Sequence, residues 1–192
     1  MSKVRTLALA FAGLLCGGAL HAQQNSVAVP SAKPAERAPV DERAMKAAYL
    51  YNFALFTQWP KLTAQMFQFC VLGMSAVETE LRRLEGRSVQ NGLPLVVRNV
   101  TLGDNLSSCQ LMYVDQDQRR LFGNVSAQLL GYPVLTVTDA DGLIDAGAMI
   151  EVRRQGSRLT FDVNLPAAKR VKLDFSARLL KLASVVVGMP QD

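Results

Sequence analysis

Histidine is almost missing from this chain: the only one is His21. It sits in an N-terminal segment that reads as a signal peptide over residues 1–22. Lys3 and Arg5 give a short positive start, and Leu7 to Leu20 form an apolar run shorter than the about 20 residues that span a bilayer. Ala22 is a small residue suited to the position before a cut. A lipoprotein signal at Cys16 is the rival, opposed by bulky Leu15 directly before that cysteine. Cleavage after about Ala22 would leave a chain with no histidine. That excludes Ser-His-Asp and Cys-His nucleophile pairs and every histidine metal site. Cysteine is also scarce. Cys70 and Cys109 remain, too few for a Cys-only zinc site. Carboxylate and Ser-Lys enzymes survive this count, but no arranged constellation for either is present. The expectation is a protein that is not an enzyme and carries no cofactor or metal.

Strong charge is lacking too. The formal excess of +5 falls to +3 when Lys3 and Arg5 leave. Three arginine pairs (82–83, 119–120, 153–154) read as solvated faces, and no nucleic-acid motif accompanies them, so no nucleic-acid partner is expected. Two cysteines are an even number for an exported chain in an oxidising compartment. A Cys70–Cys109 disulfide is the default, closing a loop of about 40 residues for roughly 3–4 kcal/mol in the loop-entropy model. Two separate buried thiols are the alternative.

What is present has order. Residues 23–40 hold three prolines and read as a flexible spacer. The domain spans 41–190. Asp41 is a plausible N-cap for a helix that Pro60 stops. "FQFCVLG" (67–73) reads as a buried strand, and Ser75 with Glu78 as an S-x-x-E capping box for a helix bearing Val77, Leu81 and Leu84 on one face. "LPLVVRNV", "CQLMYVD" and "YPVLTVTD" are further strands. Between the last two, Asp115 caps a helix with Leu121, Phe122, Val125 and Leu129. "AMIEVRR" and "RLTFDVN" make a hairpin. Val171, Leu173 and Phe175 alternate as in a strand, and Ser176 caps a last helix with Leu179, Leu182, Ala183 and Val186 on one face. Alternating strands and helices imply an α/β fold: one domain, a mixed, mostly parallel sheet flanked by helices in three layers.

Few segments hint at chemistry. "DADGLID" has Gly142 too early and no final Glu for a calcium loop, so it reads as a turn. "VLGMSAVE" carries one glycine, Gly73, and no dinucleotide fingerprint. Ser75 in that turn is a candidate ligand contact. Asp162 and Asn164 share one strand face, either as a solvated pair or as an exposed pair that meets a partner. The richest stretch is "KAAYLYNFALFTQWP" (46–60), with five aromatic residues in a chain that is 7% aromatic. Tyr49, Phe53 and Phe56 fall on one helical face, so it reads as a core helix. Asn52, polar within it, is a second candidate ligand contact.

These segments carry a family likeness. "KAAYLYNFALFTQWP", "FCVLG", "GYPVLTVTD" with "GAMIEV", and "RLTFDVNLPAAKRVKLDFSARLLKLA" together resemble the YfiR family of periplasmic regulators, over about residues 44 to 187. The resemblance implies a periplasmic, dimeric repressor of an inner-membrane diguanylate cyclase (YfiN-like), which lowers cyclic-di-GMP and biofilm formation. It also implies sequestration by an outer-membrane lipoprotein (YfiB-like). Cys70 and Cys109 match the family's bridge by position. Some relatives carry a second pair near the Gly-rich turn, and this chain has none between Ala146 and Ile150. The partner surface that the resemblance implies falls on Phe161, Asp162, Asn164, Leu165 and Ala168. A periplasmic small-ligand-binding accessory protein without a cyclase target is the alternative function.

Overall fold

The computed structural model describes residues 41–60 and 62–188. The expected signal peptide and spacer lie outside the described residues. The chain begins with helix α1 (Glu42–Phe56), where the Asp41 carboxylate accepts from the Arg43 N–H at 2.9 Å. Pro60 does not end α1, as expected from the sequence. The helix stops four residues earlier, because Thr57–Gln58 turn extended as strand β1. The Gln90 amide donates to the carbonyls of Ala54, Leu55 and Thr57 at 2.8–2.9 Å, which satisfies groups that a helix end leaves free.

Strands β2 (Phe67–Leu72), β3 (Leu95–Val100), β4 (Leu111–Val114), β5 (Leu135–Thr138), β6 (Ile150–Gln155), β7 (Arg158–Asn164), β8 (Asp174–Phe175) and β9 (Val185–Val187) follow. Seven of them form one sheet in the order β3-β2-β4-β5-β6-β7-β9. The β6–β7 hairpin is its one antiparallel pair. β1 and β8 pair separately, Thr57 opposite Phe175. Helices α2 (Glu78–Arg82), α3 (Phe122–Gln128), α4 (Leu165–Arg170) and α5 (Ala177–Leu182) complete the fold. It is the expected α/β domain with a mostly parallel mixed sheet.

β2 and β4 are buried on both faces, as continuous apolar runs in a parallel sheet should be. Alternation divides the core in two. Phe67, Phe69 and Val71 of β2, Tyr113 of β4 and Phe161 of β7 face Leu50, Phe53 and Ala54 of α1, Leu81 of α2 and Leu179 of α5. Cys70, Leu72, Met112 and Val114 face Phe122 and Val125 of α3 on the other side.

Four local expectations are corrected. Ser75 and Glu78 form no reciprocal capping box. The Ser75 hydroxyl accepts from the Val77 N–H at 3.3 Å, while Glu78 turns to Arg82 and Asn99. Cys109 lies on the turn before β4 rather than on a strand. "VKLDF" is not one strand. Helix α4 ends there with Lys172 in the left-handed region (φ 62°), and the Leu173 N–H returns to the Ala168 carbonyl at 3.0 Å. Val186 does not continue the last helix. α5 ends at Leu182, and Val185–Val187 form β9, parallel to β7.

The left-handed lysine leads to a prediction. Lys172→Gly removes the steric penalty of a Cβ at that position and is expected to stabilise the fold by about 0.5–1 kcal/mol, raising the thermal midpoint by roughly 1–4 °C. A lowered midpoint would show that the Lys172 side chain matters more than its backbone.

Candidate functional site: an aromatic groove between the first and last helices

The aromatic face of α1 does not vanish entirely into the core. Phe53 and Phe161 meet edge to face, with ring centroids 4.9 Å apart, and Tyr49 packs against each at 5.9 Å. The Tyr49 hydroxyl donates to the Leu159 carbonyl at 2.9 Å, which fixes that ring. Beside these rings a groove of about 270 Å³ opens between α1 and α5. Phe56 and Leu179 line it, and Leu182 stands on it with 66% of its surface exposed. The Arg178 guanidinium lies 5.2 Å from the centroid of the Phe56 ring and, among the described residues, is the one charged group lining the groove. Exposed Asn52 adds an amide. An apolar floor with two polar groups suits an aromatic or aliphatic side chain, or a small planar molecule.

Asn52 and Ser75, the two expected ligand contacts, are not brought together. Ser75 lies in the turn after β2 and lines a different cleft, with Tyr113 and Asp115. The five residues of the expected partner surface also separate. Phe161 forms part of the groove's floor. Its neighbour Asp162 points to the opposite sheet face, is only 5% exposed, and is ion-paired with Arg153. An exposed Asp162–Asn164 pair is therefore corrected. The Asn164 side chain caps α4 by accepting from the Ala167 N–H at 3.0 Å, and it donates to the Ile144 carbonyl at 3.0 Å. Ala168 is buried, and Leu165 packs against the same core cluster.

The "DADGLIDAGA" turn explains why that face is closed. Buried Glu151 accepts from the N–H groups of Gly142 and Ile144 at 3.2 and 2.7 Å, and so folds the turn over the sheet. Sequence reasoning missed Arg178 and Leu182 as groove residues. They read only as parts of an amphipathic helix, and nothing in their spacing announces that α5 stops short of covering α1.

Cys70 and Cys109 are joined, with Cα atoms 5.9 Å apart, and both are buried. Gln110 enters β4 next to β2, its N–H reaching the Gln68 carbonyl at 3.0 Å, so the bond clasps two neighbouring segments.

The model of the YfiR/HmsC-like family matches residues 43–184, from α1 to the residue before β9. This chain belongs to the YfiR/HmsC-like family.

Proposed function

We propose that this protein is a periplasmic repressor that binds the periplasmic region of an inner-membrane, YfiN-like diguanylate cyclase, and so lowers cyclic-di-GMP and biofilm formation. The observation that carries this is the family match over 43–184, because the family consists of periplasmic regulators of diguanylate cyclases rather than enzymes. The groove supplies a contact. Phe56, Phe161 and Leu182 offer an apolar seat for a partner's side chain, and Arg178 a charge at its side. Of the five residues first assigned to the partner surface, Phe161 keeps a direct role, while Asp162, Asn164, Leu165 and Ala168 support the strand and helix behind it. A YfiB-like outer-membrane lipoprotein would compete for the repressor, which would act as a homodimer.

Leu182→Asp tests this with little risk to the fold, since the side chain is mostly exposed. It is expected to weaken binding to the purified periplasmic region of the cyclase by about tenfold or more, the effect of replacing an apolar contact by a hydrated carboxylate. Cyclic-di-GMP should rise in cells carrying it, as in cells lacking the gene. Full binding and unchanged cyclic-di-GMP would remove the groove from the proposal. Unchanged cyclic-di-GMP on gene deletion, with the cyclase present, would remove repression itself.

The groove also favours a second role, a small-ligand-binding accessory protein without a cyclase target. A saturable thermal shift with an aromatic metabolite, nucleotide or amino acid, together with no effect of deletion on cyclic-di-GMP, would select that role.

A further inference from the structure

The sheet order reverses direction at β2. The chain runs from β2 outward to β3, then returns to β4 on the other side of β2. At such a switch point the crossovers diverge and leave a crevice at the carboxyl ends of the strands, where open α/β sheets commonly bind ligands. Here the crevice is a cleft of about 150 Å³. Ser75 after β2, Asp115 after β4 and Asp139 after β5 line it, with Lys46 of α1.

Its groups are unevenly satisfied. Lys46 is committed to Asp139 at 2.8 Å and Glu42 at 3.1 Å. Burial acts to lower the Lys46 ammonium, but those two carboxylates outweigh it and hold the group charged to higher pH. Asp115 has no such partner. It accepts from the Gln118 N–H at 3.3 Å, and among the described residues no lysine or arginine forms an ion pair with it. Burial pushes its carboxyl up, against the lowering effect of the Ser75 hydroxyl. Tyr113 is the second anomaly. It is 1% exposed, and its hydroxyl lies toward Asp139 without making a hydrogen bond. Four buried side-chain polar atoms among the described residues lack a partner, on Thr57, Trp59, Tyr113 and Asp162. Of these residues, only Tyr113 lines one of the clefts described. A buried polar group without a partner calls for an explanation such as a missing ligand.

We propose that this cleft binds a small compound carrying a primary ammonium group, held by the Asp115 carboxylate and the Tyr113 hydroxyl. An ammonium brings three N–H donors and one positive charge, which match a carboxylate without a cation, a phenolic oxygen and the Ser75 hydroxyl. Arg43 and Lys46 also line the cleft, but Arg43 is paired with Asp41 and Lys46 with Asp139 and Glu42, so the carboxylates of Asp115 and Asp117 are left to disfavour an anion. A metal ion is disfavoured as well, since among the described residues no group of three acidic, cysteine or histidine side chains is placed to ligate one. The cleft is smaller than the ~300–1,000 Å³ of sites for drug-sized molecules, so the ligand is short. The hydroxyl is closed to solvent, so the proposed binding requires the cleft wall to shift outward when the ligand binds.

Isothermal titration of the mature protein with ethanolamine, glycinamide and putrescine tests this, with ethylene glycol and choline as controls. At least one of the three amines is expected to bind saturably, one per chain. Ethylene glycol lacks the charge and choline the N–H donors, so neither should bind. Asp115→Asn, which keeps a helix-capping side chain, should weaken binding roughly 10- to 100-fold. Tyr113→Phe should weaken it roughly 2- to 10-fold with a thermal midpoint equal to or above that of the wild type, because it deletes an unpaired buried hydroxyl. Absence of saturable binding by all three amines, equal binding of choline, or full binding by Asp115→Asn overturns the proposal. None of these outcomes bears on cyclase repression, whose test uses the groove at the other end of α1.

Discussion

Replacing Cys70 and Cys109 together by alanine is expected to destabilise the protein by about 2–5 kcal/mol. The bond joins residues 39 apart in sequence. In the loop-entropy account, opening it returns conformational freedom to the unfolded chain over the whole excursion through α2 and β3. The native state also loses contacts. Cys70 is in the middle of β2 and Cys109 just before β4, and both sulfurs are packed among Leu72, Met112 and Phe122. Urea titrations of the wild type and the double mutant, each with and without reductant, measure the effect. The oxidised wild type should unfold at clearly higher urea than the other three samples, and reductant should leave the double mutant unchanged. Coincident midpoints for the oxidised and reduced wild type would mean that the bond contributes nothing. The groove faces the opposite side of the sheet, so ligand or partner binding by the surviving folded fraction of the mutant should be near normal.

Phe161→Ala is expected to cost about 3–5 kcal/mol, the range for a buried phenylalanine cut back to alanine. The ring is 4% exposed and closes an aromatic triad with Tyr49 and Phe53. Its removal leaves a void bounded by α1, β7 and α5, and none of these can close it alone: Tyr49 is held by its hydrogen bond to Leu159, and β7 is fixed between β6 and β9. Phe161→Leu, which fills most of the space, should cost markedly less. Thermal and urea unfolding of both variants give the answer. If Phe161→Ala lost less than about 1 kcal/mol while partner binding fell sharply, Phe161 would be a contact residue rather than part of the frame.

These two predictions mark the limit of what the residues disclosed. The long strands were legible because their apolar runs and turn residues agree: "FQFCVL", "LVVRNV" and the β6–β7 hairpin form where expected. The cysteine count pointed to a bridge, but the nearness of β2 and β4 depends on strand order, which no local pattern encodes. β1 and β9 were missed for a related reason. Two or three residues have no periodicity, and their extended form is imposed by a distant partner, β8 for one and β7 for the other. Val186 fitted the helical spacing from Leu179. Docking of the Ser184 N–H on the Phe161 carbonyl at 2.8 Å, beside three β-branched valines, decided for a strand.

The candidate sites were less legible than the fold. Alternation correctly put Asp162 and Asn164 on one face. Whether that face meets solvent depends on the 139–148 turn, which Glu151 folds over it. Asn52 was singled out for being polar in an apolar helix, and it does stand at the groove. Tyr113 drew no notice, since a tyrosine in "LMYV" looks like any core aromatic. Only the geometry around its hydroxyl sets it apart.

The pairing of β1 with β8 and the seating of α1 against β7 and α5 also bear on the order in which the protein can take shape. The Phe56 carbonyl accepts from the N–H of Ser176, and the Tyr49 hydroxyl from α1 reaches a carbonyl 110 residues later. A chain made from its N-terminus therefore presents the most aromatic helix first and supplies its cover last. Until the final fifth of the chain arrives, α1 has β2 and β4 to rest on but neither the Phe161 ring nor α5. Such long-range closure slows folding and prolongs exposure of apolar surface. A chain threaded through a membrane pore as an unfolded strand would meet that delay on the far side, where a holding chaperone has its clearest target in residues 49–59.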